Sequence, residues 1–179
     1  DLPAVAQGLK KQLKPNQAAL SIIAGAKMST LMDGLGHSAI IRVMPNTPAQ
    51  IGHGMSVWTA TSDVPGAVRE FTEHTLAALG EQLFVDDEKY VEMATALSAS
   101  GPAYVFKFIE ALVDAGVLLG MPAEMARKLV LQTVTGSAIL TRESGKHPAE
   151  LANMVTSPGG TTAAGLMALE QGRFRATVM

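Results

Sequence analysis

The sequence has no cysteine, which removes disulfides, thiolate metal sites and a cysteine nucleophile from consideration. That fits a reducing compartment, and a cytoplasmic location is the expectation. Charge is scarce as well: Asp, Glu, Lys and Arg make up 17% of the chain, against about 25% in ordinary soluble domains. The formal net charge is −2, with 14 Lys and Arg against 16 Asp and Glu. No basic stripe follows from that balance, so nucleic acid is not an expected partner. No apolar run approaches the roughly 18 residues of a membrane helix, and the opening Asp1-Leu2-Pro3 is not a signal peptide. Without an initiator Met, the chain reads as an internal segment of a longer protein. Aromatics are only 4%, yet hydrophobic residues reach 47%. That is more apolar surface than one small core uses, and a sizeable oligomer interface accounts for the excess.

Along residues 1–86 the pattern alternates between helix and strand. Asp1 reads as a helix cap, and Leu2, Val5, Ala6, Leu9 and Leu13 follow at helical spacing up to Lys14-Pro15-Asn16. Residues 18–24 form an uncharged apolar run closed by Gly25, a buried strand. Met28, Leu31, Met32 and Leu35 give a short helix, and residues 39–44 a second strand stopped by Pro45-Asn46-Thr47-Pro48. A strand over 55–60 follows Gly52-His53-Gly54. A helix capped by Ser62 or Asp63 comes next, with Ala67, Val68, Phe71, Thr75 and Leu79 inward, and a last strand covers 81–85. This is the later part of an open α/β sheet.

From residue 87 onward the chain is all-α. Asp86-Asp87-Glu88 caps a helix over 90–97, broken by Ser98-Ala99-Ser100-Gly101-Pro102. Residues 103–119 are apolar except for Lys107, Glu110 and Asp114, which share one face. Every other face of that helix requires burial. A helix over 123–141 carries the small residues Gly136, Ser137 and Ala138 in an uncharged second half, and two shorter helices flank residues 155–162.

A dinucleotide-binding domain announces itself by G-x-G-x-x-G after a strand. Here no strand is followed by one: Gly34-x-Gly36 follows a helix and lacks the third glycine. The loop Thr156-Ser157-Pro158-Gly159-Gly160-Thr161-Thr162 carries more information. Its glycines permit unusual backbone angles and close approach. The helix that starts at once aims amide N–H groups into the loop, a cradle for a carboxylate or phosphate. A tight turn with a threonine cap is the plainer reading, but it needs one glycine and one hydroxyl. Pro45-Asn46-Thr47-Pro48 ends a strand, where ligands of open α/β sheets sit; a rigid connector is the alternative there. His37, His53, His74 and His147 are scattered without metal-ligand spacing, so no metal site is expected. Ser157 has no G-x-S-x-G context, so a hydrolase triad is unsupported.

Three stretches in order resemble the pyrroline-5-carboxylate reductase family. They are Arg42-Val43-Met44-Pro45-Asn46-Thr47-Pro48, then Ala96-Leu97-Ser98-Ala99-Ser100-Gly101-Pro102-Ala103, then Pro148, Leu151 and Val155-Thr156-Ser157-Pro158-Gly159-Gly160 with Thr162, Gly165-Leu166, Leu169 and Glu170. Ala99 stands where that family usually has glycine. The resemblance covers essentially the whole chain and implies the C-terminal part of a Rossmann-like domain over 1–86, then a helical dimerisation and substrate-binding domain over 87–179. Family members carry a Gly-rich dinucleotide loop before this stretch and a final helix after it.

The resemblance also implies a reaction: NADPH or NADH reduces the C=N bond of 1-pyrroline-5-carboxylate to L-proline. It implies an interwoven homodimer or higher homo-oligomer. Val155, Ser157, Gly159, Gly160, Thr161 and Thr162 would hold the substrate, with Thr162 the catalytic choice, hydrogen-bonded to the ring nitrogen. Met44, Pro45, Asn46 and Thr47 would meet the cofactor. Two other readings stay open at this point. One is a non-catalytic dimerisation module, which the missing fingerprint keeps alive. The other is a β-hydroxyacid dehydrogenase with Lys107 or Lys128 as catalytic lysine, against which the Ser157–Thr162 loop argues.

Overall fold

A computed structural model describes residues 2–10 and 12–179; the Asp1 cap lies outside them. The chain divides into two compact units, Asp1–Phe108 and Ile109–Met179. The first is a four-stranded sheet in the order β1-β2-β3-β4: β1 Ala19–Ser21, β2 Ile40–Met44, β3 Gly54–Ala60 and β4 Gly80–Phe84. β1 runs parallel to β2, β2 antiparallel to β3, and β3 parallel to β4. Every residue of β2 is buried, because both faces of this strand are covered. Ile41 and Val43 pack with Trp58, Val64 and Leu76 on one face. On the other, Ile40 packs with Ala6, Leu31 and Leu35 of the N-terminal helices and with Ala26 of the connection after β1, and Met44 with Val57, Val91 and Ala94. Trp58 is a core residue, its indole N–H donating to Gln82 Oε1 at 2.6 Å.

The helices of this unit are α1 Leu2–Leu9, α2 Met28–Leu35, α3 Gly66–Ala77 and α4 Glu88–Ala94. α1 ends before the expected stop at Lys14, although Leu13 still packs beside its core cluster. In α3 the phase differs from the sequence expectation by one residue. Thr72 and Leu76 are buried, whereas Phe71 is 71% exposed. Thr72 can enter the core because its hydroxyl donates to Val68 O at 2.8 Å, which satisfies the polar group that would otherwise oppose burial. No Ser62 or Asp63 cap forms; Pro65 occupies the N-cap position. Asp87 does cap α4, accepting from the Lys89 amide at 2.9 Å. The Lys89 side chain and that amide hold the Asp87 carboxyl below the ordinary carboxylate range.

β3 and β4 meet closely at their first residues, where Gly54 pairs with Gly80. A Cβ at Gly80 would collide with the backbone of Gly54, and Gly80 has φ +136°. Gly80→Ala is therefore expected to destabilise the first unit by about 3 kcal/mol, from a strained backbone plus a steric overlap. Urea unfolding followed by Trp58 fluorescence measures it; a midpoint equal to wild type would contradict this account of the crossing.

The second unit is helical. α5 Gly101–Leu118 enters it from the first, and α6 Ala123–Ser144, α7 Pro148–Met154, α8 Thr161–Gln171 and α9 Phe174–Val178 follow. α6 runs to Ser144, three residues beyond the expected 141, and is capped by Gly145 at φ +63°. α9 was not anticipated from the sequence. α5 and α6 approach closely at Gly116, where a Cβ would lie 2.7 Å from that of Ala126. Large apolar side chains on both helices stay uncovered, among them Phe106 of α5 at 59% and Leu140 of α6 at 54% exposure. No helix among the described residues is long and apolar enough to cross a membrane.

Candidate functional site

Residues 155–162 link α7 to α8 in the second unit, and they bring together all six residues expected to hold substrate. Pro148 starts α7, whose N-terminus the His147 ring caps by accepting from the Ala149 amide at 3.2 Å. α7 ends in a turn at Val155 and Thr156. The Thr156 hydroxyl is spent on Ala152 O at 2.7 Å, so it leaves the set of candidate ligand groups. The two glycines divide the work. Gly159 has φ +70° and supplies the left-handed turn. Gly160 is extended, φ −79° and ψ 168°, a conformation open to any residue. What Gly160 needs is space, since a Cβ there would collide with Ser157 Oγ and lie 3.2 Å from Ser157 O. Its amide donates to Ser157 O at 3.1 Å, so that N–H closes the loop and is not offered outward.

α8 begins at Thr161 with Gly160 as N-cap and no side chain capping it. Its first amides, those of Thr161, Thr162 and Ala163, have no carbonyl four residues back inside the helix. They keep the positive end of the helix dipole open. The plain reading of the sequence, a threonine-capped turn, is thus not what forms. Ser157 and Thr161 are exposed residues and Thr162 is half-buried. Chemically the junction offers neutral donors around a partial positive charge, a fit for one carboxylate beside one weakly basic nitrogen.

In the first unit, Met44, Pro45, Asn46 and Thr47 follow one another at the C-terminal end of β2, before a 3₁₀ turn, Thr47–Ile51. Their side chains have different fates. Met44 is buried against Val91 and Ala94. Asn46 is committed to backbone: Nδ2 donates to Ser98 O at 3.1 Å, and Oδ1 accepts from the Met55 amide at 2.8 Å. Thr47 is exposed. This loop can therefore meet a ligand through its backbone and through Thr47. The described residues contain no glycine-rich turn after a strand that could cradle a pyrophosphate, so they fit only one end of a dinucleotide.

The residues that sequence reasoning missed are Arg42 and Glu88. Arg42 is 1% exposed in the middle of β2, and its Nη1 contacts Glu88 Oε1 at 2.5 Å. A single charge inside the run Ile40-Ile41-Arg42-Val43-Met44 was the available signal, because a buried guanidinium demands a partner. Among the described residues, no cluster of His, Asp and Glu could hold a metal ion.

An α/β sheet unit followed by a helical unit, with an open helix N-terminus behind a Ser-Pro-Gly-Gly-Thr-Thr turn, defines a Rossmann-like part joined to a helical dimerisation domain. A family model described as pyrroline-5-carboxylate reductase dimerisation matches residues 88–179. A pyrroline-5-carboxylate reductase of Arabidopsis thaliana is 46% identical over 174 residues, covering 96% of this chain and 62% of that protein. One of Pseudomonas aeruginosa is 42% identical over 99% of this chain and 65% of that protein. The crystal structure of Plasmodium falciparum pyrroline carboxylate reductase with NADP bound superposes with a TM-score of 0.93 at 35% identity, covering 99% of this chain and 71% of that one. The chain belongs to the pyrroline-5-carboxylate reductase family. It spans about 62% of the length of the Arabidopsis relative.

Proposed function

We propose that this chain supplies the substrate-binding and dimer-forming part of an NAD(P)H-dependent oxidoreductase that reduces 1-pyrroline-5-carboxylate to L-proline in the cytoplasm. The observation that carries the reading is the uncapped N-terminus of α8, behind a loop held open by Gly159 and Gly160. Residues 1–86 are the later part of the dinucleotide-binding domain, and 87–179 form the dimerisation and substrate domain.

In this reading the amides of Thr161 and Thr162, with the Ser157 hydroxyl, hold the substrate carboxylate at the positive end of α8. Val155, Gly159 and Gly160 shape the wall. The Thr162 hydroxyl hydrogen-bonds the ring nitrogen, the atom whose bonding changes in the reaction. Bound NADPH or NADH would supply the hydride, with Thr47 and the backbone of residues 44–47 meeting its nicotinamide end. The loop holds no Lys, Asp, Glu or His to act as a strong acid. None is required, because a protonated imine is already electrophilic; fixing its orientation and its charge carries the rate. The test is to join the chain to the dinucleotide-binding stretch of the Arabidopsis relative. The hybrid should form L-proline; a folded, dimeric hybrid that does not would leave the non-catalytic dimerisation reading.

The partner in this proposal is a second copy of the chain. The uncovered apolar surfaces of α5 and α6 require a cover, and a stable interface removes on the order of 1,600 Å² from water. Sedimentation at micromolar concentration should give a dimer or larger. A clean monomer would refute the assignment of these helices to an interface.

A further inference from the structure

Arg42, Met44 and Asn46 alternate along one extended segment, so they lie on one face of it. Each meets the helical stretch of residues 88–99. Arg42 reaches Glu88 at 2.5 Å, with Glu92 at 3.6 Å; Met44 packs on Val91 and Ala94; Asn46 donates to Ser98 O at 3.1 Å. The middle contact is apolar and would tolerate sliding. The outer two are directional and do not.

The acceptor at the far end is free for a reason visible in the sequence. In a regular helix Ser98 O would receive the amide of residue 102, but Pro102 has none. The chain widens there into a π-helical turn, Thr95–Ala99, closed by the Ser100 amide on Thr95 O at 2.9 Å. Asn46 takes up the orphaned carbonyl. At the near end, Glu88 Oε1 also accepts the Met28 amide at 2.7 Å, at the first residue of α2, whose N-cap Lys27 provides no cap. One carboxylate thus ties β2, α2 and α4 together. Arg42 Nε and Nη2 have no hydrogen-bond partner among the described residues, so the Glu88 contact is the principal compensation of a fully buried charge.

We propose that Arg42 is a positioning residue of the loop 45–48: through Glu88 it fixes the register of α4 along β2, and with it the Ser98 carbonyl that orients Asn46. An all-apolar contact would pack as well but leave the register free, whereas a buried polar pair selects one. The consequence is a cofactor-side loop whose shape is set from the first turn of α4, where the match to the family's dimerisation model begins. The proposal rests on the assignment of loop 45–48 to the cofactor. Its test needs no cofactor, so the two can fail separately.

The test reads NMR signals of the chain itself. In Glu88→Leu, the Asn46 side-chain amide and the Met55 backbone amide should shift, and their exchange with water should rise on the order of tenfold. The Trp58 indole N–H, bonded to Gln82 on the opposite face of the sheet, should stay in place. Glu88→Gln, which keeps an acceptor for Arg42 and Met28, should return the Asn46 signal toward its wild-type position. If Glu88→Leu does not fold, Arg42→Lys is read by the same signals with the same expectation. Unmoved Asn46 and Met55 signals in a folded Glu88→Leu would overturn the proposal, as would a Trp58 shift of equal size. Loss of folding in both variants would overturn it too, because the pair would then hold the sheet and not the loop.

Discussion

Assayed by themselves, these 179 residues are expected to show no measurable reduction of 1-pyrroline-5-carboxylate with either NADH or NADPH. The argument is one of missing binding energy. Dinucleotides are held chiefly at the pyrophosphate, by a glycine-rich turn and a helix N-terminus, and no strand among the described residues leads into such a turn. In the proposed reading the loop at the end of β2 offers backbone atoms and Thr47, which would orient one end of a cofactor but not retain it. The loss should be of cofactor affinity, leaving the helical unit and its self-association intact. A coupled assay at millimolar cofactor, with sedimentation on the same sample, decides this. Turnover comparable to that of an ordinary reductase would mean that the fingerprint is dispensable.

The second large effect concerns the α7–α8 junction, in a hybrid carrying the dinucleotide-binding stretch of a relative. Thr162→Ala removes the hydroxyl assigned to the ring nitrogen and should slow turnover roughly ten- to hundredfold, a cost of about 1–3 kcal/mol for one hydrogen bond in the transition state. Gly160→Val should do worse. Its cause is not a forbidden backbone angle, since Gly160 is extended at φ −79°. A side chain there would displace Ser157 and fill the wall of the cradle. Gly159, at φ +70°, is the position where any side chain strains the backbone. Both substitutions should leave the dimer in place.

Much of this was legible in the sequence because the signals were local. The strand over 39–44 announced itself by an apolar run ended by Pro45, and the helices over 103–119 and 123–141 by their length and periodicity. The loop at 155–162 stood out by composition and order, and the family resemblance gave its six residues the substrate role that we propose. What escaped depends on tertiary partners. The inward face of α3 turned on one hydroxyl, that of Thr72, finding a carbonyl within its own helix, so the apolar pattern pointed to Phe71 instead. Asn46 looked like a ligand group because its position was right. That its amide is spent on Ser98 and Met55 follows from contacts 52 and 9 residues away, which no local pattern encodes. Arg42 and Glu88 are 46 residues apart and were unreadable as a pair, although a lone charge within an apolar strand marked one of them.

The most direct measurement is steady-state kinetics of the hybrid and its Thr162→Ala variant, with thermal melts on the same samples. The account predicts a turnover number lower by about ten- to hundredfold at a nearly unchanged melting temperature. A lower melting temperature with wild-type turnover and Michaelis constant would contradict it, and would make the loop before α8 a structural turn and nothing more.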